Sequence, residues 1–389
     1  MHMSDSVNDI IAQLLAFIDS EIKPLEAKLG IGWESTPDKS VLQQVWQLSA
    51  QRGFYGLMLP PEQGGAGLGA HDMCRVKSAA AASGAVLAMH VLGDLSGPPR
   101  VGYLFRVASA DQVERFLKPI CRAEQAVCFA ITEENAGSDA GALQCRATRD
   151  GDHYVLHGHK RFISGAPYAD TAIVLASTDP EQGARGISAF FVDLRAPGAR
   201  VSCDYTAMYG QASHADLHFD QVRIPANQLI GSEGQGFKLG IGRINLNRLL
   251  HCATLVGYGE MALRLTLQRA TSRQQFGQHI GQFQAIQHQL ANMGADLYAA
   301  KSMMLNAAQR LDAGSDLRME ASMCKLFVSE RMFALADAAV QIHGGVGLMR
   351  GHPVQWVFNL TRMMRVLTGT SEILRNTVAK ELLGVGHGA

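Results

Sequence analysis

Residues 126–139 read AVCFAITEENAGSD, a short β-type run that passes into a turn of small and polar residues. Before this stretch the apolar residues recur at helical spacing. After it come short apolar runs at 154–156, 172–175 and 187–192, separated by turns such as the one at 149–152. No helical pattern lies between these runs, so we expect an antiparallel sheet or barrel and not a parallel nucleotide-binding sheet.

Helical periodicity dominates both flanks of this β segment. Apolar residues between positions 7 and 22 fall on one helical face, and we expect Pro24 to end that helix; a second amphipathic stretch covers 41–48. Long segments rich in Ala, Leu, Met and Gln cover 240–270, 282–313 and 317–342, lengths that suit a helix bundle. The predicted fold class is therefore α+β, with an N-terminal helical domain (1–122), a middle antiparallel β domain (123–236) and a C-terminal helix bundle (237–389).

Composition excludes several classes of partner. Lysine plus arginine and aspartate plus glutamate both number 35 in 389 residues, so the basic surface typical of nucleic-acid binding is not expected. No apolar run reaches the roughly 18 residues needed to span a bilayer. The seven cysteines contain no C-x-x-C pair, which indicates reduced thiols and a cytoplasmic location.

Two signals resemble binding sites and are better interpreted as structure. Residues 231–240 (GSEGQGFKLG) fit neither glycine-rich phosphate motif, and we interpret them as a turn between domains. His157 and His159 alternate on a predicted strand, but no third ligand lies nearby in the sequence. We therefore interpret that strand as half-exposed and predict no metal site.

Six separated segments share one set of motifs. They are 129–139 (FAITEENAGSD), 158–165 (GHKRFISG), 273–277 (RQQFG), 283–287 (FQAIQ), 341–347 (QIHGGVG) and 369–373 (GTSEI), with 60–67 (PPEQGGAG) as an N-terminal addition. Together they resemble the acyl-CoA dehydrogenase family, whose patterns include A-x-T-E-P-x-A-G-S-D, R-x-x-F-G, Q-x-x-G-G-x-G and E-G-T-S-E-I. Each motif alone is weak, but their common order over nearly the whole chain is specific.

The resemblance implies FAD as the cofactor. It places the flavin ring against five residues of the β domain: Phe129, Ile131, Thr132, Phe162 and Ser164. It also implies that a neighbouring subunit supplies the contacts of Arg273, Phe276, Gln341 and Gly345, while Thr370 and Glu372 contact the cofactor bound to their own chain. A site shared in this way requires a homo-oligomer, and the family norm is a tetramer.

The resemblance also implies an acyl thioester as substrate, carried by CoA or by an acyl carrier protein. The residues that match the family's substrate channel are Ser138, Asn245, Arg248, Leu367, Thr368 and Gly369. Many members have an aspartate where this chain has Asn245, so the contacts with CoA are expected to differ. Arg248 has the alternative of a solvated charge on a helix.

The family's catalytic base is absent from this chain. In the family, a glutamate removes the α-proton while the β-hydride passes to flavin. Its two known positions are occupied here by Thr368 and Asn247, which are both neutral. Asp94, with His90 beside it in sequence, is the remaining candidate base, against the alternative that Asp94 is a structural residue.

Three functions therefore stay open. The first is FAD-dependent oxidoreduction at the α,β-bond of an acyl thioester with an atypical base. The second is the same fold with other flavin chemistry, such as elimination or monooxygenation. The third is a catalytically silent subunit that binds flavin or acyl-CoA. The sequence does not identify the electron acceptor.

Overall fold

A computed structural model describes residues 6–203 and 205–384. Its N-terminal part consists of helices α1 (Val7–Phe17), α2 (Lys23–Leu29), α3 (Lys39–Arg52), α4 (Ala70–Ala82), α5 (Ala88–Val91), α6 (Ala110–Gln112) and α7 (Lys118–Cys121). A capping box between Ser6 and Asp9 begins α1.

The first helical segment is longer than predicted. A π-helical turn, Ile18–Ile22, joins α1 to α2, and the segment ends only at Gly30, whose φ is 64°. Pro24 therefore does not end the helix, and that prediction is wrong. Proline lies in the first turn of α2, where it is tolerated because its missing N–H costs little there.

The middle part is one seven-stranded sheet. Its strands are β1 (Val127–Ala130), β2 (Arg146–Asp150), β3 (His153–Ser164), β4 (Thr171–Ser177), β5 (Ile187–Asp193), β6 (Ala199–Ser202) and β7 (His214–Pro225). The order is β1-β4-β2-β3-β7-β6, and β5 pairs with β4. Three of these strands, β2, β6 and β7, have no counterpart among the predicted runs because polar residues interrupt them.

The predicted antiparallel sheet is found with two parallel exceptions. Strand β1 pairs with β4 in parallel, and β2 meets β4 in parallel at the single pair Arg146↔Ser177. The other strand pairs are antiparallel. Parallel pairing is possible because the β2–β3 hairpin intervenes between β1 and β4 and provides a long crossover.

The C-terminal part is the expected helix bundle. It comprises α8 (Gly236–Gly242), α9 (Ile244–Ser272), α10 (Gln284–Asp312), α11 (Arg318–His343), α12 (Pro353–Met364) and α13 (Ser371–Leu383), with a small hairpin of β8 (Gln274–Gln275) and β9 (Gln278–His279). Residues 231–235 form the turn before α8, and Gly231 and Gly234 have φ values of 71° and 76°. The three-part α+β architecture is thus confirmed.

The helices at the two ends of the chain share one hydrophobic core. Leu14, Trp46 and Met73 from the N-terminal part pack in the same cluster as Val256 and Met332 from the bundle. The sheet has a separate core around Phe190 and Phe219 on one side. Joining the two chain ends in this way brings α4 and α5 against α9, which positions the candidate site. Within the described residues, no helix is long and apolar enough to cross a membrane.

Candidate active site

The turn between α12 and α13 contains the first of the two positions where the family's base is expected. Thr368 and Gly369 adopt φ values of 56° and 95°, so the turn is left-handed at both residues. Arg248 Nε lies 3.5 Å from the carbonyl oxygen of Thr368, and Lys325 Nζ donates to that of Gly369 at 2.9 Å. The backbone N–H of Thr368 donates to no group in the described part of the chain. This turn therefore has an unpaired backbone N–H at Thr368, and two cations, Arg248 and Lys325, bind the carbonyl oxygens of the same turn.

Arg248 is a buried residue of α9 and not a solvated charge. Its Nη1 donates to Ser322 Oγ at 2.9 Å and lies 3.5 Å from Asn245 Oδ1. Burial, with the nearby Arg318 charge, lowers the pKa of Arg248 to about 10, so the group remains protonated at neutral pH. The predicted substrate residues Asn245, Arg248, Thr368 and Gly369 therefore form one connected group.

His251 is part of this group, and the sequence reasoning missed it. Its Nδ1 lies 3.0 Å from Thr368 Oγ1. Burial, together with the charges of Lys77, Lys325, Arg100 and Arg243, lowers the pKa of His251 to about 3. The imidazole is therefore neutral at physiological pH. The signal that could have revealed it is its spacing, because residues three apart on a helix share a face and His251 follows Arg248 by three positions.

Asp94 is already paired with a cation. Its Oδ2 accepts from Lys77 Nζ at 2.5 Å, and the lysine side chain is buried while the aspartate is half-buried. His90 lies nearby with its Nδ1 enclosed and without a hydrogen-bond partner in the described residues. Burial lowers the pKa of His90 to about 4. Asp94 therefore stays a carboxylate candidate, but its charge is balanced by Lys77.

Asn247, the second expected base position, faces an arginine. With its amide oxygen turned toward the guanidinium, Arg243 Nη2 and Nε lie at 3.1 and 2.9 Å. Asn247 and Arg243 line a cavity of about 1390 Å³ together with Tyr55, Leu59 and Tyr103. The cavity therefore extends from the N-terminal helices to the first turns of α9.

The predicted flavin residues of the β domain form a surface that fits a flavin. Arg161 N–H donates to the carbonyl of Thr132 at 2.8 Å, which places the end of β1 beside Phe162 on β3. The Phe162 side chain is 52% exposed although large and apolar. The half-buried hydroxyls of Thr132 and Ser164 have no hydrogen-bond partner within residues 6–203 and 205–384. A flat aromatic heterocycle would cover the ring and satisfy both hydroxyls.

The other predicted cofactor residues lie on the exposed surface of the bundle or at its ends. Arg273, Gln341 and Gly345 are exposed, and Phe276 is 94% exposed at the tip of the β8–β9 hairpin. No hydrogen bond or ion pair in the described residues joins any of them to Thr132 or Ser164. Thr370 caps α13 by accepting from Ile373 N–H at 3.3 Å, whereas Glu372 and Ser138 are exposed.

From the sequence, no third potential metal ligand was expected near His159, but the fold brings two other potential ligands beside it. Asp216 and His218 of β7 lie beside it, and the ligand atoms of all three residues are within 4.8 Å of one another. The two imidazoles stack nearly parallel, at 4.1 Å and 11°. Ring-nitrogen lone pairs lie in the ring plane, so stacked rings cannot both point at one ion. Arg161 Nε, 3.6 Å from Asp216 Oδ2, already supplies positive charge there.

Comparison with known proteins assigns all three parts of the chain to one family. The family models match for the acyl-CoA dehydrogenase N-terminal domain (residues 4–124), middle domain (128–222) and C-terminal domain (234–383).

Curated relatives match over most of their length. A 3-(aryl)acrylate reductase of Clostridium sporogenes is 33% identical over 94% of this chain and 96% of its own. An acryloyl-CoA reductase (NADH) of Anaerotignum propionicum is 33% identical over 86% and 85%.

Solved structures agree with this assignment. Butyryl-CoA dehydrogenase from Megasphaera elsdenii superposes with a TM-score of 0.88 at 26% identity, covering 98% of this chain and 99% of that one. PigA with FAD and proline superposes with a TM-score of 0.89 at 27% identity, over 99% and 100%.

Proposed function

Since the chain belongs to the acyl-CoA dehydrogenase family and is an FAD-dependent flavoenzyme, we propose that it acts at the α,β-bond of an acyl thioester without the family's carboxylate base. FAD, when bound, supplies hydride acceptance at the β-carbon. Ile131, Thr132, Phe162 and Ser164 would hold its ring. The single observation that carries the proposal is the group around Thr368, which combines an available backbone donor with neutral side chains.

Binding of the thioester is assigned to the turn at Thr368. Its free N–H would donate to the thioester carbonyl, and such preorganised donors stabilise negative charge that develops on oxygen. Arg248 and Lys325 orient the turn from behind, because each is bonded to one of its carbonyl oxygens. Their positive charges also favour an enolate-like carbonyl oxygen over a neutral one.

Removal of the α-proton is the step for which this site lacks a strong proton acceptor. Thr368 is hydrogen-bonded to a histidine whose pKa is about 3, and such an imidazole is a poor acceptor for a carbon-bound proton. Asn247 is neutral and bound to Arg243. We therefore propose that ordinary saturated acyl-CoAs bind but transfer hydride slowly. Asp94 stays the alternative base.

A second candidate function follows from the same neutral group. Flavin chemistry that does not begin with proton abstraction, such as elimination or monooxygenation, needs no carboxylate at Thr368. A silent binding subunit is the third candidate. Reduction of the bound flavin by an acyl thioester separates the oxidoreductase from both.

The FAD site is proposed to lie between subunits of a homotetramer. Arg273, Phe276, Gln341 and Gly345 are exposed, so a second chain can bring them to the β-domain surface of the first. Phe276 is 94% exposed, and a second chain that covered its ring would remove a large apolar surface from water, which is favourable. For electron transfer, a relative in Acetobacterium woodii, 34% identical, is named as the CarC subunit of a caffeyl-CoA reductase-Etf complex. We propose an electron-transferring flavoprotein as acceptor by analogy.

We expect the purified protein to be yellow and to contain one FAD per chain. The unpartnered hydroxyls of Thr132 and Ser164 and the exposed ring of Phe162 are the physical basis. Heat release followed by chromatography identifies and counts the flavin, and butyryl-CoA should then perturb its absorption spectrum while leaving it oxidised. Stoichiometric FMN, or no flavin in protein refolded with FAD, would contradict the proposal.

Arg273→Ala should weaken FAD binding by about ten- to a hundredfold, because a charge-assisted bond to phosphate contributes about 1.5–3 kcal/mol. Arg122→Ala is the matched control, since Arg122 is exposed and no role is assigned to it. Titration of the apoprotein with FAD, followed by flavin fluorescence, measures both. Equal affinities for the two variants would mean that Arg273 does not contact the cofactor.

A further inference from the structure

Strand β3 contains a bulge at the proposed flavin surface. Its pairing with β7 shifts there, so that two residues of β3, Arg161 and Phe162, oppose the single residue Asp216. Phe162 adopts a φ of 56°, in the left-handed region that residues other than glycine rarely occupy. Such a conformation is unfavourable and persists only where neighbouring groups enforce it. A bulge also redirects the side chains that it contains, so the direction of the exposed Phe162 ring depends on the contacts that hold this bulge.

Asp216 supplies a contact that meets this requirement. It is buried, and its Oδ1 accepts the backbone N–H of Phe162 at 3.0 Å. The other oxygen, Oδ2, accepts from the Tyr205 hydroxyl at 2.9 Å and lies 3.0 Å from His159 Nε2. Burial acts to raise the pKa of Asp216, but these three contacts outweigh it and lower the pKa below its usual value. One oxygen of an ionised carboxylate thus binds the Phe162 backbone, while the other fixes the aspartate itself.

The neighbours of Asp216 contact the Phe162 ring as well. The Tyr205 ring centre lies 4.8 Å from the centre of the Phe162 ring, and the Arg161 guanidinium carbon also lies 4.8 Å from it. Arg161 Nη2 donates to the Tyr205 hydroxyl at 2.9 Å, and that hydroxyl donates to Asp216. Removal of the carboxylate would therefore release the backbone of Phe162 and loosen two side chains that contact its ring.

We propose that Asp216 is a positioning residue for the cofactor, whose carboxylate holds the Phe162 ring in the direction that packs it against the flavin. This inference rests on the proposed function, because it requires FAD on the β-domain surface. Asp216 acts through Phe162. Without the carboxylate, the Phe162 N–H loses its acceptor and the left-handed conformation loses the bond that enforces it.

Asp216→Ala should weaken FAD binding by about two- to tenfold, which corresponds to the contribution of one aromatic ring pair. Asp216→Asn should retain the wild-type affinity, because its amide oxygen can still accept the Phe162 N–H. Titration of the apoprotein with FAD measures the affinity. Visible circular dichroism of the FAD-loaded protein reports the asymmetric surroundings of the flavin ring, and for Asp216→Ala it should resemble that of Phe162→Leu and differ from that of the wild type.

The double variant Asp216→Ala with Phe162→Leu distinguishes a role through the ring from a general structural role. Without the ring, loss of the carboxylate should change neither FAD affinity nor circular dichroism any further, so the double variant should match Phe162→Leu. Additive losses would overturn the inference, because Asp216 would then act independently of Phe162. Wild-type affinity and dichroism in Asp216→Ala would overturn it as well.

Asp170→Ala is the matched control, because Asp170 is also an aspartate of the β domain that accepts a backbone N–H, from Ala126 at 2.9 Å, and pairs with a cation, Lys39. It should keep the wild-type affinity and dichroism. Equal changes in Asp170→Ala and Asp216→Ala would contradict the inference by indicating a general loosening of the sheet. Failure of the wild-type protein to bind FAD would instead refute the proposed function.

Tyr205→Phe tests the same inference if Asp216→Ala does not fold. This variant keeps the aromatic ring and removes only the hydroxyl that donates to Asp216 Oδ2. Its dichroism should change in the same direction as that of Phe162→Leu and to a smaller extent. Dichroism identical to that of the wild type would then overturn the inference.

Discussion

Thr368→Glu should raise the rate at which butyryl-CoA reduces the bound flavin by about 10²–10⁴-fold. A positioned general base contributes that much, and position 368 is where the family's glutamate is expected. The new carboxylate would lie near His251, Lys77 and Lys325. The positive charges of the two lysines and a hydrogen bond from the imidazole N–H would favour its ionised form. Anaerobic stopped-flow measurement of flavin bleaching gives the rate directly.

Thr368→Gln provides the control, since glutamine has the same size as glutamate without its charge. It should leave the rate at the wild-type level. If both variants accelerate bleaching equally, the effect is one of shape and the assignment of position 368 is wrong. If the wild-type protein already bleaches rapidly, another base acts, and Asp94→Asn followed by His90→Gln would identify it. Loss of bleaching in Asp94→Asn with normal FAD content would assign the base to Asp94.

Lys160→Met should lower the free energy of unfolding by about 3–5 kcal/mol, the cost of leaving a buried charge without its partner. Lys160 is fully buried, and its Nζ donates to Glu133 Oε1 at 2.7 Å and to the carbonyl of Ile131 at 3.2 Å. Glu133 in turn accepts from the N–H groups of Gln144 and Cys145. Removal of the lysine therefore strands a carboxylate beneath the proposed flavin surface.

Arg223→Ala is the control for this effect, because the Arg223–Asp150 pair is exposed and such pairs contribute about 1 kcal/mol at most. Urea unfolding at a fixed protein concentration compares the two. The double variant Lys160→Met with Glu133→Gln should be more stable than Lys160→Met alone, because it removes the stranded charge. Equal unfolding midpoints for Lys160→Met and Arg223→Ala would show that the buried pair contributes nothing.

The sequence predicted the elements whose patterns are local. The helices of the bundle follow from periodic apolar patterns, and the largely apolar strands β4 and β5 follow from continuous apolar runs. Strand β7 was missed because its polar residues, such as Asp216 and His218, resemble a loop until they are paired with β3. The continuation of the helix past Pro24 was missed because proline is tolerated in a first turn, and the sequence does not state where a turn begins.

The residues of the candidate site also fall into those that the sequence predicted and those that it missed. Family motifs predicted the roles of Thr368 and Arg248 from their order along the chain, and they predicted the loss of the glutamate from residue identity alone. His251 and Arg100 belong to no motif, and each depends on partners distant in sequence: His251 is 117 positions from Thr368. Their properties come from burial and from neighbouring charges.

The sequence by itself therefore determined the three-part fold, the FAD-binding family and the neutral side chains of Thr368 and Asn247, because those facts reside in residue identity and order. Only the tertiary structure decided which groups surround Thr368, the position where a glutamate is expected. Packing α4 and α11 against α9 brings the charges of Lys77, Lys325, Arg100 and Arg243 close enough to His251 to help keep it neutral, and His251 lies beside Thr368. Electrostatic fields act through space and strengthen as water is excluded, so neither their sign nor their strength at Thr368 can be read along the chain.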